Sequence, residues 1–377
     1  MGEPLRVGLV GASLARSGWA IVAHAPAIRA LDELTLQAVA TTKRASADEA
    51  ARALGAVSAY DSAEALAADP DVELVVVGVK VAVHEPVVRA AVAAGKHVLC
   101  EWPLGLDTAE ARELAALAQD AGVVHSIGLQ ARFAPAVRYA RELIEEGYLG
   151  ELTSVTLTGS SLMPGARELP ERYADHLKAA SSITVLRIPA AHAFDAVCYL
   201  AGDLDDVSAR VLTLAPEVRI AETGQILPKD ADDHVAFTAR TGAGALVVAH
   251  MQGGSAAAIG SSIELRGPRG LLRVSTAQPQ QLQMASLALS GTQAGGEPEP
   301  IEIPERFMAH LPAAVRGTFA ENVAGVYRDV HDAIRNGTPV ATDFALAVRR
   351  HELGDALVAS SEQDSRLVRL ADQGAMT

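Results

Sequence analysis

The chain has 377 residues, of which 49% are hydrophobic and 21% are charged, and its formal net charge is −14. This composition excludes a disordered chain and is typical of a globular protein long enough for two domains. Because 46 acidic residues outnumber 32 basic ones and no basic cluster breaks that balance, we expect no direct binding to nucleic acid.

The first thirty residues predict a strand, a turn of small residues and a helix. An apolar strand over residues 7–10 runs into the segment from Gly11 to Gly18, and a helix is predicted over residues 19–31. A dinucleotide-binding fingerprint places G-x-G-x-x-G after such a strand. Gly11 fits its tight turn, Ser13 stands where the second glycine belongs, and the last glycine comes two residues late. The candidate phosphate-binding residues are Gly11, Ala12, Ser13 and Leu14.

Residues 5–125 continue to alternate between strand and helix. Repeated units of this size predict a parallel, doubly wound sheet that binds ligands at the carboxyl ends of its strands. The run over residues 72–79 has the continuous apolarity of a strand buried on both faces. The further predicted elements are strands over residues 34–41, 97–101 and 123–128, and helices over residues 45–54, 63–68, 84–94 and 108–121, with Tyr60-Asp61-Ser62 and Asp107 as caps.

From about residue 130 the pattern changes to strands of alternating polarity, which predict an α+β domain with an open, mainly antiparallel sheet. The predicted strands are residues 152–159, 207–214, 234–240, 245–251 and the hairpin 263–274; the predicted helices are 135–147, 191–200, 319–335 and 344–360, and the predicted loops are 163–172 and 291–304. The fold class is therefore α/β, with one domain over residues 1–127 and a second over 128–377. The last two helices are expected to pack back over the body.

Cysteine usage and hydropathy bear on the compartment. Cys100 and Cys198 cannot build a disulfide framework and lack metal-ligand spacing, so we expect two structural thiols in a reducing cytoplasm and no metal site. No N-terminal segment resembles a signal peptide, and no apolar run looks long enough to cross a bilayer. We therefore predict a cytoplasmic protein with no membrane partner.

Several motifs occur in a specific order along the chain. They are Val7-Gly-Leu-Val-Gly11, His84, Ala94-Gly-Lys-His-Val-Leu-Cys-Glu-Trp-Pro-Leu104, Gln130-Ala-Arg-Phe133, Gly147-Tyr-Leu-Gly150 and His192-Ala-Phe-Asp195. Together they resemble the Gfo/Idh/MocA family of oxidoreductases over nearly the whole length, which implies an N-terminal Rossmann domain. Further details resemble the galactose-pathway repressor branch of that family: Gly18-Trp-Ala20, Glu101-Trp-Pro103, Ser126 to Arg132, and Asp232-Asp-His234.

Two positions depart from the pattern of active family members. The resemblance implies a lysine beside the nicotinamide that helps to shift protons, and this chain has Trp102 there. The aspartate four residues before the catalytic histidine is Ile188. His192 then remains as a possible general base, with Asp195 one helical turn away, and ordinary alcohol oxidation should be slow. Alternatively, His192 simply caps or packs its helix.

Lys80 follows the buried strand 72–79, at a position where family members usually have proline. A cation there could contact the cofactor phosphates or a substrate carboxylate, and we treat it as a candidate catalytic residue. A solvated surface lysine is the alternative. The resemblance also implies cofactor contacts for His84, Glu101, Trp102 and Gln130, and a cis peptide between Trp102 and Pro103.

The second strand ends in Ala40-Thr41-Thr42-Lys43-Arg44, without the carboxylate that usually binds the ribose hydroxyls of NAD. Hydroxyl groups and two cations suit a 2′-phosphate. Thr41, Thr42 and Arg44 are therefore candidate ligands for NADP. Alternatively, Lys43 and Arg44 begin a solvated helix, which leaves NAD possible.

Two functions follow from these observations. The first is an NAD(P)-dependent oxidoreductase that acts on a sugar, polyol or related hydroxy compound. The second is a non-catalytic cofactor-binding sensor or transcriptional regulator like the repressor branch. For either, we expect a ligand site in a cleft, formed by Lys80, Glu101, Trp102, Gln130 and His192. We also expect a homodimer or homotetramer formed through the C-terminal sheet.

Overall fold

The computed structural model describes residues 3–16, 18–161, 165–254, 260–278, 280–293 and 295–370. Backbone contacts group these residues into two compact units. The first unit contains the residues up to Gln130 and the segment Leu311–Val348, and the second contains Ala131–His310 and the residues from Arg349 onward. The sequence-based division at 127/128 instead assigns residues 311–348 to the second part, and as a division into folding domains it stays a prediction.

Within the described residues, the first unit contains a parallel sheet of six strands in the order β3-β2-β1-β4-β5-β6. The strands are β1 Leu5–Val10, β2 Leu34–Ala40, β3 Ser58–Tyr60, β4 Leu74–Val77, β5 His97–Glu101 and β6 His125–Gly128. The order reverses between β1 and β4, which is the arrangement of a doubly wound sheet. Every residue of β4 is buried, as its continuous apolar sequence predicts. The predicted fold class is confirmed for this unit.

The helices lie close to their predicted positions. Within the described residues they are α1 Ala25–Ala30, α2 Arg44–Leu54, α3 Ala63–Ala67, α4 His84–Ala93, α5 Thr108–Asp120, α6 Pro135–Glu145, α7 Ala191–Ala201, α8 Glu305–Met308, α9 Ala320–Asn336 and α10 Phe344–Glu362. A π-helical turn, Ala20–His24, leads directly into α1. The side chain of Asp107 accepts a hydrogen bond from the amide of Glu110, and that of Ser62 from the amide of Ala65. Both predicted caps are therefore confirmed.

Within the described residues, the second unit contains a nine-stranded, mainly antiparallel sheet in the order β17-β16-β15-β14-β7-β13-β12-β9-β18. The strands of this unit are β7 Ser154–Ser161, β8 Glu168–Leu169, β9 Leu204–Leu212, β10 Glu217–Ile220, β11 Ile226–Pro228, β12 His234–Thr241, β13 Leu246–Gly253, β14 Ser262–Gly267, β15 Gly270–Thr276, β16 Leu287–Thr292, β17 Glu299–Pro300 and β18 Val368–Arg369. The hairpin of β14 and β15 closes at Gly267 and Gly270, as predicted. One face of the sheet is buried in a core shared with α6 and α7.

The sequence misses several short strands. β3 at the edge of the first sheet is only three residues long, and β8, β10 and β11 form a small separate sheet. The segment predicted as a loop over residues 163–172 contains β8 and a 3₁₀ helix that begins at Glu171, while Met163 and Pro164 lie outside the described residues. The other predicted loop, 291–304, contains the end of β16 and all of β17.

The most apolar helical segment is Ala179–Ala201. It is long and apolar enough to cross a membrane by length and composition, but 78% of its apolar window is buried inside the structure. The prediction that no apolar run reaches such a length is therefore wrong. The segment is a core element of the second unit. The thiols of Cys100 and Cys198 are also buried, and burial raises the pKa of Cys198 to about 11, so this thiol is protonated at neutral pH.

Candidate functional site

The carboxyl ends of β1 and β4 meet at the point where the strand order reverses. Gly11 follows β1 with φ +96°, and a Cβ added there would lie 2.4 Å from the carbonyl oxygen of Gly78. Only glycine fits this close approach of two backbones. The sequence assigns this tight turn to Gly11, and the geometry agrees with it.

Two backbone amides of this turn already donate hydrogen bonds within the protein. Those of Gly11 and Ala12 both point to the carbonyl oxygen of Ala40, at 3.0 Å and 3.3 Å. Of the four residues predicted to bind phosphate, Ser13 and Leu14 lie one step further along, at the start of the 3₁₀ turn Leu14–Arg16. We therefore expect phosphate contacts from the amides of Ser13 and Leu14 rather than from the first two.

The end of β2 carries hydroxyl groups and cations, and no acidic residue follows until Asp48. Thr41 is buried, and its hydroxyl donates to the carbonyl oxygen of Lys43 at 3.0 Å. Thr42, Lys43 and Arg44 are exposed. Arg44 is the first residue of α2, and its Nε donates to Asp48 Oδ1 at 3.0 Å. A 2′-phosphate that binds Arg44 would therefore replace Asp48 as its partner. Because the Arg44–Asp48 ion pair is exposed, it is weak.

The segment after β5 contains the predicted cis peptide, which the structure confirms between Trp102 and Pro103. The side chain of Trp102 is buried. Glu101, the last residue of β5, accepts a hydrogen bond from Nε2 of His24 at 3.0 Å. This carboxylate lies against β6, because a Cβ added at Gly128 would come within 2.3 Å of Glu101 Oε1.

His84 links the ends of β4 and β5. Its Nδ1 lies 2.9 Å from the carbonyl oxygen of Pro103, and its Nε2 lies 3.1 Å from that of Val79. Burial lowers the pKa of His84, although the carbonyl acceptors and Glu101 oppose that shift. The ring thus stabilises two turns at the ligand edge of the sheet, and its predicted direct contact with a cofactor stays a prediction.

Two other predicted site residues differ in burial. Lys80 is exposed, three residues beyond β4. Gln130 is 1% exposed, and its Oε1 has no hydrogen-bond partner among the described residues. A buried amide oxygen without a partner is costly, so Gln130 is a candidate ligand contact.

In the second unit, His192 lies in α7 and is buried. The sequence places Asp195 as its neighbour one turn away, but the carboxylate of Asp195 bonds two arginines instead. It accepts hydrogen bonds from Arg132 and from Arg350, the latter at 2.9 Å. Burial alone would raise the pKa of Asp195, and the two guanidinium groups outweigh it, so the pKa is lowered. Asp195 is therefore the centre of a buried ion cluster.

Sequence reasoning did not single out His24, Tyr327 or Arg350. His24 could have been noticed, because it is a polar residue in an otherwise apolar helix, Ala20-Ile-Val-Ala-His24. Tyr327 and Arg350 carry no local signal, since their hydrogen-bond partners lie more than 140 residues away. Among the described residues, no group of three or more metal-ligating side chains could hold a metal ion.

The chain matches two family models. Residues 5–129 match the family GFO_IDH_MocA, described as an oxidoreductase family with an NAD-binding Rossmann fold. Residues 135–276 match the C-terminal domain of Gal80p. Dehydrogenase aclE of Aspergillus oryzae is 31% identical over 229 residues, which are 59% of this chain and 62% of aclE. This match therefore spans less than two thirds of that relative.

Solved structures share the fold over nearly the whole chain. A super-repressor mutant of Gal80p from Saccharomyces cerevisiae superposes with a TM-score of 0.85, covers 98% of this chain and 99% of that one, and is 21% identical. Levoglucosan dehydrogenase in complex with NADH and levoglucosan has a TM-score of 0.84 and 24% identity, and covers 98% of this chain and 100% of that one. The two family models identify residues 5–129 as a Rossmann domain of the Gfo/Idh/MocA oxidoreductase family and residues 135–276 as a Gal80p-like C-terminal domain.

Proposed function

We propose that this chain is a cytoplasmic NAD(P)-dependent oxidoreductase that acts on a sugar, polyol or related hydroxy compound. The observation that carries this proposal is the ligand edge of the parallel sheet, where Gly11 turns with φ +96° directly against the backbone of Gly78 at the end of β4. Such an edge, at the reversal of strand order, is where dinucleotides bind in this class of fold. The NADH complex of levoglucosan dehydrogenase, which shares the fold, supports the same placement.

The chemistry divides between the cofactor and the chain. The nicotinamide group, when bound, supplies hydride transfer. Ser13 and Leu14 would bind the phosphates of the cofactor through their backbone amides. Trp102 would offer an apolar ring surface to the nicotinamide. We assign His192 the role of general base for the substrate hydroxyl, and Lys80 that of a cation for phosphate or carboxylate. That these residues act together stays a prediction.

A second candidate function is a cofactor-binding metabolic sensor without turnover. Trp102 and Ile188 favour it, because neither side chain can transfer a proton at the positions where active family members have lysine and aspartate. A steady-state assay with NADP⁺ and NAD⁺ and a panel of polyols and sugars separates the two. We expect slow but sustained reduction of cofactor. Tight cofactor binding without reduction on any substrate would favour the sensor.

Cofactor preference gives a separate prediction. We expect NADPH to bind more tightly than NADH, because Thr41, Thr42 and Arg44 suit a 2′-phosphate. Replacing Arg44 by alanine should weaken NADPH about tenfold, the value of one lost charge-assisted hydrogen bond, and leave NADH unchanged. Calorimetric titration measures both affinities. Arg52→Ala, two turns further along α2, is the matched control, and equal affinities of the unaltered chain for both cofactors would contradict the prediction.

We also propose that the chain forms a homodimer or homotetramer through the open face of the C-terminal sheet. Leu246 and Val248, on an interior strand, are 49% and 41% exposed on that face, and a sheet face with such side chains is often covered by a partner. Val248→Lys should therefore shift the mass measured by light scattering toward the monomer. A control substitution with lysine on the exposed edge strand β17, Glu299→Lys, should not. A monomeric unaltered chain would contradict the proposal.

A further inference from the structure

We propose that His24 and Tyr327 are positioning residues that hold the Glu101 carboxylate so that its charge favours the oxidised cofactor over the reduced one. This inference rests on the proposed function, because it concerns the cofactor site at the carboxyl end of β5. It assigns a role to two buried residues that the proposed chemistry does not use.

Three elements of the first unit meet at this network. His24 ends the π-helical turn after the fingerprint loop, Glu101 ends β5, and Tyr327 lies in α9. Nδ1 of His24 lies 2.8 Å from the Tyr327 hydroxyl, and its Nε2 lies 3.0 Å from Glu101 Oε1. Both rings are fully buried, whereas the side chain of Glu101 keeps 14% of its surface exposed. The rigid part of the network therefore supports a carboxylate at the edge of the sheet.

His24 directs a ring proton toward Glu101. Burial, together with the charge of Glu101, raises the pKa of Tyr327 well above its usual value, so its hydroxyl keeps its proton. In the neutral imidazole this hydroxyl donates to Nδ1, which leaves the ring proton on Nε2 to bond Glu101. In the protonated imidazole Nε2 is also a donor. In both states, His24 therefore donates to the carboxylate.

The absence of a side chain at Gly128 makes room for the Glu101 carboxylate. Gly128 of β6 lies directly against the carboxylate, since a Cβ there would lie 2.7 Å from the carboxyl carbon. The next residue is Trp102, whose ring the resemblance places beside the nicotinamide. Because this position has tryptophan instead of lysine, the neighbouring side chain brings no positive charge to offset that of Glu101.

A fixed negative charge distinguishes the two states of a nicotinamide. The oxidised ring carries a positive charge and the reduced ring carries none, so only the oxidised form gains from a nearby carboxylate. A carboxylate that can rotate toward water or take up a proton loses most of that effect. The network therefore sets the ratio of the two affinities, in addition to any effect on stability.

The test measures the dissociation constants of NADP⁺ and NADPH, by calorimetry and by nicotinamide fluorescence, on the full chain and its variants. His24→Leu and Glu101→Gln should each lower the preference for NADP⁺ about tenfold. Tyr327→Phe, which removes one hydroxyl, should also lower the preference for NADP⁺, but by a smaller factor. His24→Gln should restore it, because its amide keeps a donor toward Glu101. Thr342→Val removes the buried hydroxyl bonded to Ser126 in the same unit, and should change only the melting temperature.

The outcomes separate this inference from the function on which it rests. If the unaltered chain binds neither form of the cofactor, the proposed function is wrong and the inference is overturned with it. If the unaltered chain binds both forms, and folded His24→Leu and Tyr327→Phe keep the original ratio, the inference alone is overturned. An equal weakening of both forms leaves the ratio unchanged and overturns the inference in the same way.

Discussion

Replacing Trp102 by lysine should raise the rate of polyol oxidation by about 10²–10⁴-fold, which is the usual contribution of a positioned acid–base group. The resemblance places a lysine here in active family members, where it helps to move the hydroxyl proton. In this chain the position is a buried tryptophan that precedes a cis peptide and follows Glu101 in the sequence. The expected gain is mainly in kcat, because proton transfer is the step restored.

Trp102→Met is the matched control, since it shortens the side chain without adding charge or a transferable proton. It should bind cofactor and remain slow. If Trp102→Lys folds and binds NADP⁺ but oxidises none of the polyols and sugars tested, the missing lysine alone does not explain the lack of activity. That result would favour the sensor.

Asp195→Asn should destabilise the protein by about 3–5 kcal/mol, the range measured when one partner of a buried ion pair is removed. The carboxylate is fully buried between Arg132 and Arg350, which are themselves only 8% and 5% exposed. The substitution leaves two buried guanidinium groups without their shared counter-charge. Denaturant unfolding at neutral pH measures the loss. Asp364→Asn is the control, because the side chains of Asp364 and its partner Arg210 are 98% and 51% exposed and exposed pairs contribute about 0–1 kcal/mol.

The same carboxylate gives a pH dependence with a definite sign. The pKa of Asp195 is lower in the folded chain than in the unfolded one, so its stabilisation is fully present above the unfolded value of about 3.9. It is lost as the pH falls through the folded value. The difference in unfolding free energy between the unaltered chain and Asp195→Asn should therefore be constant near neutrality and shrink in acid. A difference that grows as the pH falls would contradict this assignment.

The fold was largely predictable because its signals are local. Continuous apolar runs such as β4 identify strands buried on both faces, and the alternation in β12 identifies a sheet with one open face. Short strands such as β3 and β11 were not predictable, since two or three residues cannot show a hydrophobic period. The apolar segment Ala179–Ala201 was underestimated because Pro189 and several turns divide it.

The candidate site was predictable only where a residue follows a strand or belongs to a motif. Gly11 and the cis peptide before Pro103 were identified in this way. The partners of buried charges were not, because they come from distant parts of the chain. Asp195 was expected near His192, its neighbour in the helix, yet its charge partners lie 63 and 155 residues away. Tyr327 is 303 residues from His24, and no sequence pattern connects them.

Hydride transfer is the central claim, and a deuterium label follows it directly even if turnover is very slow. The full chain would be incubated with NADP⁺ or NAD⁺ and polyols that carry deuterium on the carbinol carbon, and the recovered cofactor would be analysed by mass spectrometry. We expect deuterium in the reduced cofactor from at least one substrate, with more of it from Trp102→Lys. Cofactor that binds and is recovered without deuterium, from every substrate and from both proteins, would contradict this claim.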